Sequence, residues 1–250
     1  AAKLYRAASF GTEHMPFDNV HMYVDPAGGG QNGDETAYAV TKFSAGRVFL
    51  VDCGAVPGGY ESTSMDMLTE VALKWKPYKI SVEENYGKGA LVNVWRPLLF
   101  KQYKCEIEEV WESGQKELRI IDVLEPVVNS NRLVVDTSLI QTDWDRTKKY
   151  ALASRSSFSL FYQIARITRD KKSLRHEDRL DALAGSVRNW TERLQQDSDK
   201  IAQKIVRKKW ADRMRNPLGD GTKVPDVTLK LLGLSRNGTQ SSVLNRMRKR

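Results

Sequence analysis

The sequence predicts an α/β fold with a mixed central β-sheet flanked by helices. Three observations lead there. VHMYVD (20–25) alternates with the period of two that a half-buried strand requires. ETAYAVTKF (35–43) and RVFLVDC (47–53) are rich in β-branched and aromatic residues, and Ser44-Ala45-Gly46 between them is a hairpin signal. After them strand-like and helix-like stretches alternate, the order that produces crossovers and parallel pairing. The sheet is therefore expected to be antiparallel at its first edge and parallel beyond.

Residues 1–18 lack periodicity and are expected to be a linker. A helix is expected from Glu61 to Trp75, because Met65, Leu68, Ala72 and Trp75 fall on one face. Ser62 to Ser64 are its candidate caps, and Pro77 lies past its end. KISVEE (79–84) is a short strand. An apolar helical stretch over 90–103 follows, which Pro97 is expected to kink or divide. CEIEEVW (105–111) is another strand. The apolar run KELRIIDVLEPVV (116–128) fits helix or strand, with helix preferred, and RLVVD (132–136) is a short strand. Residues 137–195 are mainly helical, and the last helix carries LRHEDRLDALAG (174–185).

Charge is distributed unevenly. From Lys200 to Arg250 there are 14 Lys/Arg against 3 Asp/Glu, while the first 199 residues hold 26 against 28. A near-neutral body thus precedes a basic, loop-like tail (196–250), which suits nucleic acid or an acidic protein partner. No apolar run approaches the roughly 18 residues of a membrane span, so no membrane role is expected. Cys53 and Cys105 form neither a disulfide framework nor a metal-ligand spacing, which fits a reducing cytoplasm. The first residue is not Met, and a piece of a longer protein is expected.

The chemistry is expected where acids converge. Asp25 closes the first strand, and alternation puts it on the face of His21 and Tyr23, opposite Val20, Met22 and Val24. Glu83 and Glu84 close the 79–84 strand, with Ile80 and Val82 pointing away from Glu83. Asp178 and Asp181 lie three residues apart and share a helix face, beside the apolar stripe of Leu180, Leu183 and Ala184. Ligand sites in α/β sheets lie beyond the carboxyl ends of strands. Singly, each acid is a turn residue or a solvated edge. Together they would repel one another unless a cation sat among them, and an all-oxygen set suits Mg²⁺ or Mn²⁺ rather than zinc. The Gly-rich loop after Asp25 (26–34) is neither GxGxxG nor a Walker A loop, so nucleotide binding is rejected.

Four stretches carry a resemblance: VDPAGGGQNGDETAYAV (24–40), VEENYGKGAL (82–91), KELRIIDVLEPVVNSNRLVVD (116–136) and LRHEDRLDALAG (174–185). They resemble the RNase H-like nuclease superfamily, and more closely the nuclease domain of the large terminase subunit of short-tailed (podophage, autographivirus-type) bacteriophages. The resemblance implies an RNase H-like domain over 19–195. It also implies a metal-dependent endonuclease that cuts concematemeric viral DNA during genome packaging, with two Mg²⁺ or Mn²⁺ ions.

Carried over by position, Asp25 would be the first ligand. Glu83 matches the strand-end acid, because Asn85 follows two residues later, and Glu84 is its neighbouring candidate. Asp178 is the preferred helix ligand with Asp181 close behind, and Asp34 matches an acid near the site in related nucleases. Glu177 stands where the family pattern has Asp. Lys88, Lys116 and Arg119 are candidates for holding the DNA backbone, although a solvated helix face explains the last two equally well. His176 is taken to cap its helix rather than to orient an acid, and Phe158, Phe161 and Tyr162 to be core rather than a base-stacking platform. The implied partners are double-stranded DNA, the viral portal or prohead, the small terminase subunit and an ATPase motor in the same full-length chain, in the host cell cytoplasm. The alternatives are another RNase H-like nuclease (junction resolvase or hybrid nuclease) or a non-catalytic portal- or DNA-docking module.

Overall fold

The computed structural model describes residues 19–28, 35–84, 89–196, 200 and 206–207. The expected linker, nearly all of the basic tail, Asp34 and Lys88 lie outside the described residues. By internal contacts the chain divides after Gln195, and the elements below belong to the part before it.

The strands are β1 (Asn19–Asp25), β2 (Glu35–Ser44), β3 (Arg47–Pro57), β4 (Lys79–Glu83), β5 (Glu106–Val110) and β6 (Leu133–Val135). The helices are α1 (Ser62–Trp75), α2 (Ala90–Phe100), α3 (Lys116–Asn129), α4 (Thr137–Arg146), α5 (Leu160–Arg166) and α6 (Asp178–Arg188). One six-stranded sheet has the order β5-β4-β1-β2-β3-β6. β1, β2 and β3 pair antiparallel, whereas β1–β4, β4–β5 and β3–β6 pair parallel. The antiparallel trio is therefore interior rather than at an edge, because β6 adds beyond β3.

Two apolar cores lie on opposite faces of the sheet. Met22, Val24, Val40, Ile80 and Val82 pack with Met65, Leu68 and Ala72 of α1 and Leu91, Trp95 and Leu99 of α2. Tyr23, Ala37, Ala39, Phe43, Val48 and Leu50 pack with residues of α3, α4, α5 and α6. The period-two pattern of β1 and β2 is thus read out by two helical layers, each covering one face.

Some local expectations need correction. The residue before α1 is Glu61, which makes no side-chain cap. Ser64 instead donates to the carbonyl of Pro57, tying the helix start to the end of β3. α2 runs undivided through Pro97, three residues shorter than the expected stretch. The ambiguous run at 116–128 is helical, with Ile120, Leu124 and Val127 buried at helical spacing.

α6 meets the sheet directly at Gly185. Its sequence ALAG (182–185) meets the core that holds Ala37, Ala39 and Tyr23, with Leu183 the one large side chain of the four. A Cβ built on Gly185 would stand 2.5 Å from the Tyr23 ring. Glycine in a helix costs about 0.5–1 kcal/mol relative to Ala, and here it permits the helix to rest directly on β1. Gly185→Ala is accordingly expected to destabilise the protein by about 1–3 kcal/mol through overpacking, measured by urea denaturation. An unchanged midpoint would mean that α6 sits farther from β1.

Candidate metal centre

Asp25 ends β1 and Glu83 ends its parallel neighbour β4. Val24 lies opposite Val82 in that pairing, so the two acids leave the sheet side by side. Met22, Val24, Ile80 and Val82 are committed to the α1/α2 face, and alternation turns Tyr23, Asp25, Ser81 and Glu83 towards α6. Asp181 arrives from above. It lies one helical turn before Gly185, and Tyr23 lies two residues before Asp25, so the Gly185–Tyr23 contact sets Asp181 over the strand ends.

Polar contacts fix the rotation of α6. His21 of β1 has Nδ1 at 3.2 Å from the Ser186 hydroxyl and Nε2 at 3.0 Å from that of Ser81. Ser186 and Thr41 hydroxyls are 2.7 Å apart, and Trp190 Nε1 donates to Thr41 at 2.7 Å. At the other end, buried Arg179 donates to Asp143 at 2.9 Å, and its second amino group lies 3.4 Å from Glu35. Ser159 donates to the other Asp143 oxygen at 2.7 Å. Breaking one partner of such a buried pair leaves an uncompensated charge, so α6 is held at both ends.

The result is a three-carboxylate cluster. Asp25, Glu83 and Asp181 are all buried and offer oxygens within 4.8 Å of one another. At that separation each like-charged pair repels by roughly 3–4 kcal/mol at an effective dielectric of 20. Burial pushes the Asp25 carboxyl well above its ordinary range; Lys116 opposes this, and Asp181, Glu83 and Asp178 push it further. Burial likewise raises Glu83, with Asp181 adding and Arg119 and Lys116 opposing. One oxygen of Glu83, Oε2, is buried without a hydrogen-bond partner among the described residues.

Asp178 stands just outside this trio. Its carboxylate is 3.5 Å from Lys116 Nζ, which also lies 3.3 Å from both Asp25 and Asp181 and 3.9 Å from Glu177. The shared helix face of Asp178 and Asp181 is thus real, but the cluster takes in Asp181. Glu84 is half-buried one position beyond Glu83, and alternation turns it to the opposite face.

Lys116 and Arg119 do not occupy a solvated helix face. Arg119 donates to Asp181 at 2.6 Å and lies 3.9 Å from Glu83 and 3.6 Å from Glu112. Burial alone would lower the Lys116 pKa; Asp25, Asp181, Asp178 and Glu177 outweigh it and raise it. Both cations are therefore drawn into the acids. His176 is no cap: it stacks on Phe158 at 4.0 Å, which stacks on Tyr150 at 3.7 Å. Phe158 and Phe161 are half-buried, whereas Tyr162 is 38 % exposed.

Sequence reasoning missed Glu112, a buried acid paired with Arg119 and Arg188. It follows the end of β5, the next parallel strand, so the rule that picked out Asp25 and Glu83 also applies to it. In all, six carboxylates (Asp25, Glu83, Glu112, Glu177, Asp178, Asp181) face three cations (Lys116, Arg119, Arg188). A surplus of buried negative charge, oxygen-only donors and an orphaned Glu83 oxygen together fit a hard divalent cation.

Residues 24–133 match the family described as terminase of bacteriophage T7, ribonuclease H-like domain. The chain is 33% identical over 197 residues to the terminase large subunit of Enterobacteria phage T3, covering 79% of this chain and 33% of that protein. The chain thus spans about a third of the length of that relative. Among solved structures, it is similar to the terminase nuclease domain of human cytomegalovirus (14% identity, TM-score 0.47, 70% of this chain and 85% of that one). It is also similar to the nuclease domain of the large terminase subunit gp2 of bacterial virus Sf6 (12% identity, TM-score 0.46, 69% and 89%).

The polar seat of α6 has a measurable consequence. Burial first, then Lys79, pushes the His21 pKa down to about 3. Below about pH 6.5 the unfolded chain takes up a proton there that the folded chain refuses. The stability tied to neutral His21 is thus present above about pH 6.5 and lost as pH falls towards about 3. The His21 ring resonances are expected to keep their neutral-form shifts from pH 8 down to about 5 by NMR. A midpoint near 6.5 would contradict the network.

Proposed function

We propose that this chain is a metal-dependent DNA endonuclease acting in viral genome packaging, a reading supported by its match to the ribonuclease H-like domain of the bacteriophage T7 terminase family. The observation that carries the proposal is the convergence of Asp25, Glu83 and Asp181 within 4.8 Å. In this reading those three acids would hold Mg²⁺ or Mn²⁺, proposed as a pair of ions, with Asp178 and Glu177 beside them. Bound there, the ions supply an activated water and neutralise charge on the leaving oxygen of the phosphodiester.

The chain's own residues set up that chemistry. β1 and β4 hold two carboxylates at fixed spacing, α6 adds the third, and burial strengthens their interaction with any cation. Lys116 and Arg119 balance charge within the cluster and orient Asp181, which favours them as internal partners over contacts to DNA. Residues 19–195 are proposed as the nuclease domain. Concatemeric double-stranded DNA, the portal or prohead, the small terminase subunit and an ATPase motor in the full-length protein are the proposed substrate and partners, with the host cytoplasm as the setting.

The test is plasmid cleavage in Mn²⁺. Asp25→Asn and Asp181→Asn are expected to lose about 1000-fold or more, within the range of positioned catalytic groups. Asp178→Asn is expected to lose about 10- to 100-fold, as for groups that orient metal ligands. Chelation with EDTA removes cleavage altogether. Full activity in Asp25→Asn would sink the assignment, and a larger loss in Asp178→Asn than in Asp181→Asn would reverse the ligand choice. Mn²⁺ is also expected to raise the melting temperature of wild type, by the equivalent of about 2.7 kcal/mol at 100 times its dissociation constant. Asp25→Asn should lose that rise; an equal rise in the variant would place the bound ion elsewhere.

A further inference from the structure

With Lys116 and Arg119 engaged by carboxylates, the cluster needs other cations if it is to admit a phosphodiester. Six acids against three cations would repel a polyanion approaching from solvent. The turn over residues 168–177, TRDKKSLRHE, leads into α6 and supplies what is lacking. Lys171, Lys172 and Arg175 are exposed; Lys171 acts on the Glu117 carboxylate only through its charge, and among the described residues no hydrogen bond or ion pair within 4 Å holds the three charged groups.

The turn is fastened to the start of α3, on both sides of Lys116. Gln115 Nε2 donates to the carbonyl of Arg169 at 3.0 Å. The amide of Lys172 donates to the carboxylate of Glu117. Arg169 itself is spent on Asp122 and Glu125 of α3, at 3.3 and 2.8 Å. Within the turn, the Ser173 hydroxyl accepts from the Thr168 amide and donates to the Thr168 carbonyl. Leu174 packs against the core. The turn is thus anchored on both sides of Lys116 and leads directly into α6, so its three exposed cations are carried beside the elements that build the cluster.

We propose that Lys171, Lys172 and Arg175 form a lip that holds the phosphate backbone of duplex DNA beside the carboxylate cluster. This rests on the nuclease reading for why DNA comes there, but the lip binds phosphates whether or not cleavage follows. Contacts of this kind position the duplex without reading its sequence. Each contact releases counterions, so binding weakens with salt by about 0.9 in log–log slope per phosphate neutralised.

The experiment uses the full chain, tail included, with a short fluorescein-labelled duplex in EDTA across a salt series. The variant is Lys171→Ala/Lys172→Ala/Arg175→Ala. The control, Arg47→Ala/Lys101→Ala/Lys104→Ala, removes the same charge from exposed residues at the opposite end of the sheet. The lip variant is expected to bind more weakly and to lose about 2–3 from the salt slope, from three contacts at about 0.9 each. The control should keep the wild-type slope, and Lys171→Arg/Lys172→Arg should keep it as well. A wild-type slope in the lip variant overturns the proposal. So does an equal loss in the control, which would mean net charge alone. In Mn²⁺ the lip variant should show a raised KM with kcat retained. If wild type cuts nothing, the nuclease reading falls and the binding slopes still decide the lip.

Discussion

The seating of α6 on β1 is the constraint from which the site follows. A helix over a sheet ordinarily stands off by the depth of its side chains, near 10 Å between layers. Here Gly185 removes the side chain at the contact with Tyr23, and Ala182 and Ala184 share the core with Ala37 and Ala39. The polar chain from Ser81 through His21, Ser186 and Thr41 to Trp190 then sets the rotation. Rotating or lifting the helix would carry Asp181 away from Asp25 and Glu83. The strand ends supply two acids by register alone; the third depends on this packing.

That geometry collects charge that the folded chain must manage. Burial and mutual repulsion push Asp25 and Glu83 towards the protonated state, and Lys116 and Arg119 pull against it from within the cluster. A divalent cation would do the same with greater charge in less volume. Arg119 also links the trio to Glu112 and, through it, to Arg188 of α6. The cluster is therefore part of a larger ionic network tying α3, α6 and the end of β5 together.

Much of this was legible in the sequence, for reasons specific to each element. Period-two alternation in VHMYVD and KISVEE set the faces of Asp25 and Glu83, because buried strands leave no other register for Met22, Val24, Ile80 and Val82. Helical spacing put Asp178 and Asp181 on one face but could not choose between them, since that depends on how closely α6 packs. The amphipathic pattern of α3 did not reveal that Lys116 and Arg119 border the carboxylates rather than water, because their partners come from β1, β4 and α6. The edge expected at β1–β3 was wrong because a three-residue strand, β6, gives little signal of its pairing. Glu112 obeyed the strand-end rule and was passed over two residues beyond an otherwise exposed strand.

The central claim is that packing of α6 completes one metal-holding cluster from Asp25, Glu83 and Asp181. Anomalous scattering from a Mn²⁺-soaked crystal tests it most directly. The account predicts a peak among these three carboxylates, with oxygen ligands at about 2.0–2.2 Å, the range of small divalent ions. A peak held by Asp178 and Glu84 without Asp181, or no peak within reach of Asp25, would contradict it.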